Sequence, residues 1–229
     1  MAESWIWLLD TRVLRDRHDA EPPSALDAGC GPGYVMELLS RRMDVVGIDL
    51  DPDMVATCRA RDLDVRLADV YELPFDDGTF DVVYCTFLMM WLDDPGGALR
   101  EMARVSRQWV LCLAEPDFGA RIDHPEGLSE VRDLVVEGFR ARGADPFMGR
   151  KLRELYRREG LDVEVGFHPG VWDTDRLREE FRDEWGYLVK AAPHLRPEHL
   201  ERIKVVWEDA LEKGTAFSFN PIFWAIGGK

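Results

Sequence analysis

The chain has 229 residues, long enough for one domain with a sizeable core, and its 44 acidic against 29 basic residues leave a net charge of −15. A field of that sign repels phosphate backbones and anionic membrane, which disfavours nucleic acid as a partner. Hydrophobic residues make up 46% of the chain, yet no apolar run approaches ~18 residues and the N-terminus carries no basic, cleavable leader, so the expectation is a cytoplasmic protein with no membrane span.

In chain order, residues 1–24 form a segment in which Trp5, Leu8 or Leu9, and Arg12 sit on a predicted helix. Leu26-Asp27-Ala28 then closes a first strand and breaks into Gly29-Cys30-Gly31-Pro32-Gly33, with a helix predicted from Tyr34. A glycine turn between strand and helix lets backbone approach a ligand closely, because glycine has no side chain and the helix end offers unpaired N–H groups. The second strand, Asp44 to Leu50, carries Asp49 at its end, placed as an acid that accepts from ribose hydroxyls in a βαβ unit. Asp51 and Pro52 suit an N-cap and first helical position. A third strand, Asp64 to Asp69, also ends in an acid, which with Val70 can read an adenine edge. After Asp76-Asp77-Gly78 comes a fourth strand, Thr79 to Phe87, a helix from Pro95 to Val105, and a fifth strand, Trp109 to Ala114. Helices are then predicted over Leu128–Ala141 and Gly149–Glu159, a sixth strand over Asp162–His168 and a seventh within Thr215–Gly227. Between the last two strands, Leu177, Phe181, Trp185 and Leu188 form one stripe at helical spacing, and Leu200, Ile203, Trp207 and Leu211 form another, closed by Gly214.

Alternating strands and helices argue a doubly wound α/β sheet. The glycine order is G-x-G-x-G after an acid, not the G-x-G-x-x-G of a dinucleotide fold. It resembles the first motif of class I S-adenosylmethionine-dependent methyltransferases. The later run Leu67-Ala-Asp-Val-Tyr-Glu-Leu-Pro-Phe-Asp-Asp-Gly-Thr-Phe-Asp-Val-Val-Tyr-Cys-Thr-Phe87 is similar to the second block of the type 11 methyltransferase family. The resemblance, close over about residues 25–116, implies a Rossmann-like seven-stranded sheet of order 3-2-1-4-5-7-6 with the last strand antiparallel. The tail resembles that of menaquinone- and ubiquinone-type C-methylases and their small-molecule relatives. It implies one methyltransferase domain over residues 1–229, with a cofactor core at 25–116 and helical lid or acceptor-pocket segments at 1–24, 117–148 and 172–214.

On that resemblance S-adenosylmethionine is the cofactor and S-adenosylhomocysteine the product. Gly29, Gly31 and Gly33 would hold the methionine portion, Asp27 would position the turn and the cofactor's amino group, and Asp49 would take the ribose. Asp69 and Val70 would take adenine, with Leu50 and Cys85 as further cofactor contacts. Trp91 sits where the family lines the methyl-transfer region; many relatives carry His near this point, whereas this chain reads Met89-Met90-Trp91, and Trp172 is a second candidate for the acceptor pocket. Glu115, Asp117, His124 and His168 are the candidate bases near strand ends, each set against a structural role. The four cysteines, Cys30, Cys58, Cys85 and Cys112, lack C-x-x-C spacing and read as reduced core residues, so no metal is expected. The expected partner is a small-molecule acceptor, with no membrane and a monomeric or homodimeric chain. Two other readings stand beside this one: a nicotinamide-dependent oxidoreductase, and a non-catalytic protein that binds S-adenosylmethionine.

Overall fold

Apolar runs of strand length, separated by amphipathic helices, assemble here around one parallel sheet whose central strands are covered on both faces, which is why those strands are nearly continuous in hydrophobic residues. The computed structural model of the chain describes residues 2–15, 21–168, 170–191 and 195–229; parts of the expected segments 1–24 and 172–214, at residues 1, 16–20 and 192–194, lie outside the described residues. Two compact units are present. One comprises residues 1–115, 151–168 and 223–229, the other residues 116–150 and 169–222.

The first unit opens with α1 (Ala2–Leu8), which runs into a π-helical turn over Leu9–Val13. It then alternates β1 (Ser24–Ala28), α2 (Tyr34–Leu39), β2 (Asp44–Asp49), α3 (Pro52–Arg59), β3 (Val65–Leu67), β4 (Phe80–Thr86), α4 (Pro95–Val105) and β5 (Ser106–Pro116). Asp51 caps α3 as its sequence position predicts, accepting from the Asp53 N–H at 2.8 Å with Pro52 at the first turn. In the second unit lie β6 (Ile122–His124), α5 (Val131–Ala141), α7 (Thr174–Ala191), α8 (Pro197–Glu212) and β8 (Phe217–Phe219). Helix α6 (Met148–Arg158), β7 (Asp162–His168) and β9 (Ile222–Gly228) return the chain to the main sheet.

That sheet has the order β3-β2-β1-β4-β5-β9-β7, with the last strand antiparallel. Counting its own strands alone, β7 is the sixth and β9 the seventh, so the order is the one the resemblance implies. The parallel register sets Asp27 of β1 beside Tyr84 of β4, and Cys85 of β4 beside Cys112 of β5.

Beyond shifts of one to three residues at several ends, such as β3 stopping at Leu67 and β5 starting at Ser106, three larger differences from the sequence expectation are present. The stretch Thr215–Gly227 holds two strands, because Pro221 interrupts it: β9 joins the main sheet, while β8 pairs antiparallel with β6 in a separate two-stranded sheet. β6 itself was not expected; it lies in the segment read as an insertion before α6. The helix expected from Leu128 begins as a single 3-10 turn at Glu126–Leu128 and becomes regular only at Val131. The two helical stripes of the second unit pack as a core of their own, where Leu177, Leu188, Ile203, Trp207 and Leu211 meet Leu128, Val131, Leu134 and Val135.

Candidate active site

At the carboxyl end of β1 the chain must leave the sheet, turn sharply and enter α2. The Gly29 and Cys30 N–H groups both donate to the Ile48 carbonyl of β2 at 2.9 Å, which pins the start of the turn to the neighbouring strand. Gly31 and Gly33 then take φ of +51° and +79°, a left-handed conformation costly to any residue with a Cβ. The two differ in surroundings. A Cβ on Gly33 would meet Leu63 Cδ1 at 2.6 Å and Cys58 Sγ at 2.9 Å, whereas one on Gly31 would meet nothing within 4 Å. Gly33 is therefore packed against the fold and Gly31 faces open space.

The Asp49 carboxylate braces this turn from β2: Oδ2 accepts from the Gly31 N–H at 2.7 Å and Oδ1 from the Asp51 N–H at 2.9 Å. From the outer side, Arg61 Nη1 donates to the Pro32 carbonyl at 2.6 Å while its guanidinium stacks over Tyr34 at 4.8 Å and pairs with Glu37. The Cys58 thiol donates to the Gly31 carbonyl at 3.2 Å. Burial pushes the Cys30 and Cys58 thiols up, so neither is a ready nucleophile.

A cleft of about 230 Å³ opens beside the turn, lined by Asp27, Gly29, Cys30, Gly31, Pro32, Tyr34, Val35, Thr86 and Phe87. Asp27 is buried, and its Oδ2 has no hydrogen-bond partner of normal geometry. Burial raises its pKa from 3.8 to about 7; the Tyr84 phenol beside it pulls the other way, and the Asp49 charge adds to the rise. Thr86 and Phe87 were not singled out in the sequence, and Phe87 adopts φ of +54° with its N–H donating to the Ala114 carbonyl at 2.8 Å. A bulky residue in the left-handed region is a strained exception and carries no composition signal. Of the neighbours Cys85 and Thr86 in β4, Thr86 lines the cleft, whereas the expected contact Cys85 is fully buried against Cys112.

Asp69 follows β3 and accepts from the Tyr71 N–H at 2.9 Å, while Val70 is buried and Leu50 is 67% exposed. The structure thus joins Asp27, Gly29, Gly31 and Asp49 directly around one turn and places Asp69 and Leu50 at the ends of the two adjoining strands.

Three of the four candidate bases are engaged in contacts of their own. His168 is buried, with Nε2 on the Leu113 carbonyl at 2.7 Å, an arrangement that requires Nε2–H and takes that nitrogen out of base chemistry. Glu115 is fully buried and its Oε1 accepts from the Met89 N–H at 2.6 Å, which holds the 3-10 turn Met89–Trp91 and with it Trp91, itself 38% exposed. In the second unit, Asp117 is buried in a two-pronged ion pair with Arg150, one contact measuring 2.7 Å. Also there, His124 is exposed on β6, and Trp172 forms a bridge to Ser218 and lies under the Arg176 guanidinium at 4.5 Å.

Comparison with known proteins gives this geometry a family. A family model described as a methyltransferase domain, of type 11, matches residues 26–112. A Mycolicibacterium smegmatis protein described as a probable S-adenosylmethionine-dependent methyltransferase is 32% identical over 199 residues, covering 83% of this chain and 72% of that protein. A malonyl-[acyl-carrier protein] O-methyltransferase of Halorhodospira halophila is 36% identical over 131 residues, 53% of this chain and 42% of the relative. Other curated relatives are likewise matched over 36% and 52% of their length, so against several of them the chain spans half or less. Among solved structures, a candidate methyltransferase from Bacillus halodurans C-125 superposes with a TM-score of 0.63 at 18% identity, covering 99% of this chain and 98% of that one, which shows the shared fold. The chain belongs to the class I S-adenosylmethionine-dependent methyltransferases.

Proposed function

We propose that the chain transfers a methyl group from S-adenosylmethionine to a small-molecule acceptor by in-line displacement. The observation that carries this reading is the left-handed turn around Gly31, open on its cleft side and braced by Asp49. The residues present fit the cofactor: a glycine with free space before it, and a buried Asp27 oxygen in the cleft lining that lacks a partner. When bound, S-adenosylmethionine supplies an electrophilic methyl on a sulfonium and leaves as a neutral thioether.

The chain's own residues then bind and orient. Gly29 and Gly31 admit the methionine portion, Gly33 shapes the turn behind them, and Asp27 accepts from its amino group. Asp49 retains acceptor capacity for ribose hydroxyls beside the two backbone N–H groups it already holds. Asp69 and Val70 take adenine, with Leu50 flanking them. Alignment and exclusion of water supply the bulk of the rate, up to ~7–11 kcal/mol for a well-oriented displacement, without a dedicated base. The exposed Trp91, on a turn secured by Glu115, is a candidate wall of the acceptor pocket. An acceptor that is a metabolite, and not nucleic acid, accords with the net charge of −15 and with a relative named for O-methylation of a malonyl group. Four free, buried cysteines suit a reducing compartment such as the cytoplasm. No helix among the described residues is long and apolar enough to cross a membrane.

Thermal unfolding with S-adenosylmethionine, S-adenosylhomocysteine and NAD, each at ~100 times a micromolar-range dissociation constant, tests the cofactor site. The two sulfur ligands should raise the midpoint by roughly 5–10 °C and NAD should not. A shift with NAD alone sinks the reading. Acceptors are then screened by formation of S-adenosylhomocysteine.

A further inference from the structure

The loop between β3 and β4, residues 69–78, begins with Asp69 and has little hydrogen bonding of its own: Glu72 N–H to the Asp69 carbonyl, Phe75 N–H to the Leu73 carbonyl and Tyr71 N–H to the Asp69 carboxylate. Helix α4 and its cap supply most of the remainder. Arg104 Nη2 donates to the Leu73 carbonyl at 3.0 Å, and Nη1 donates to the Phe75 carbonyl at 2.8 Å and to Asp77 Oδ1 at 2.9 Å. Glu101, one turn earlier, holds the guanidinium in place through Nε at 2.8 Å and Nη2 at 2.9 Å, and its Oε2 also accepts from the Leu73 N–H at 3.1 Å. The Arg104 carbonyl accepts from the Gly78 N–H at 2.9 Å, and at the cap of α4 the Asp94 N–H donates to the Tyr71 hydroxyl at 3.0 Å.

Residues 71, 73, 75, 77 and 78 are thus all fastened to one helix and its cap. The planar fork of a guanidinium can serve two carbonyls and two carboxylates at once, which an ammonium cannot. The side chains agree with the backbone: Leu73 is buried, and Phe75 stacks edge-on against Phe80 at 4.9 Å with Arg66 over its ring. Asp69 is linked into this arrangement, because its carboxylate is oriented by the N–H of Tyr71, whose hydroxyl is held at the α4 cap.

We propose that Glu101 and Arg104 are positioning residues that set the base selectivity of the cofactor site, by fixing the loop that aims Asp69 and Val70 at adenine. This rests on the assignment of adenine to Asp69 and Val70 made above. Neither residue lines the cleft beside the glycine turn. Without the guanidinium, the Phe75 carbonyl loses its side-chain partner and the Leu73 carbonyl keeps only the Phe75 N–H, the loop samples other conformations, and the Asp69 carboxylate is aimed at the exocyclic amino group for only part of the time. The ribose and methionine contacts, which come from β1 and β2, persist.

The test measures binding of S-adenosylhomocysteine and of S-inosylhomocysteine, in which a carbonyl replaces that amino group, by calorimetry on the whole chain and on Arg104→Ala, Glu101→Gln and Asp69→Ala. The native chain should prefer the adenine ligand by about tenfold or more, since a site built to accept from an amino group rejects the analogue lacking it. Arg104→Ala should lose most of that preference while its affinity for the inosine ligand stays within about threefold, and Glu101→Gln, the milder variant, should lose part of it. Variants that melt at lower temperature but keep the full preference overturn the proposal and return the pair to a purely structural role. A native chain with no preference, or an Asp69→Ala variant that keeps it, overturns instead the adenine assignment on which the proposal rests.

Discussion

Burial holds the Asp27 carboxyl at a pKa of about 7, against 3.8 when solvated. The raised value means that folding takes up a proton, so this group's contribution to stability is greatest below pH 3.8 and is lost as pH rises through about 7. Asp27→Asn keeps the shape and removes the charge. Its melting temperature in the absence of ligand should exceed that of the native chain by a margin that widens between pH 4 and pH 7 and then levels off, at roughly 2–4 °C per kcal/mol for a chain of this size. Its affinity for S-adenosylhomocysteine should fall. A margin independent of pH would show that the carboxyl is not the buried acid its surroundings make it. His168 titrates in the opposite sense. Desolvation lowers its pKa below 6.5 despite the Leu113 carbonyl, so protonation is resisted in the fold and stability declines as pH falls below 6.5. His168→Asn should flatten that acid limb and leave cofactor affinity unchanged, as read from melting curves at pH 7.5 and 5.5 and from calorimetry.

At the scale of elements, the glycine turn separates a structural requirement from a functional one. Gly33→Ala adds a methyl against Leu63 and Cys58 to an unfavourable φ, costs of about 1–3 and 1–2 kcal/mol. Gly31→Ala incurs only the second, but its methyl enters the cleft. Urea denaturation should therefore rank Gly33→Ala as the less stable, while titration with S-adenosylhomocysteine should rank Gly31→Ala as the weaker binder. The reverse ranking would mean that the turn is oriented otherwise than described. This turn was legible in the sequence because only glycine fills such positions cheaply. Phe87 was not, because nothing in its chemistry announces a left-handed backbone; it is held there by the Ala114 carbonyl, a contact between adjacent strands.

For the molecule as a whole, the second unit has its own core around Trp207, which is 2% exposed, and every residue lining the cleft beside the glycine turn belongs to the first unit. Trp207→Ala should cost about 3–5 kcal/mol of stability through the cavity it leaves. Affinity for S-adenosylhomocysteine should stay within about twofold if the two cores are energetically separable, since distant sites act additively. A parallel loss of affinity in calorimetry would instead show that the second unit's packing controls the cofactor turn.

Local signals determined a great deal by themselves. Glycine spacing, the acids closing β2 and β3, and the caps at Asp51 and Pro52 are demands met within a few residues, so strand, turn and helix could be read in order together with the cofactor class. The helical stripes were legible as helices for a similar reason, since periodicity reports which face is buried. What neighbours across the sheet decide was not legible. Packing across the sheet put Thr86 in the cleft lining and Cys85 against Cys112, and strands far apart in sequence divided 217–228 between two sheets. The fold also occupied His168 with the Leu113 carbonyl and Glu115 with the Met89 N–H. Burial and partnership are properties of the folded chain, and they turn a residue type capable of catalysis into a structural one.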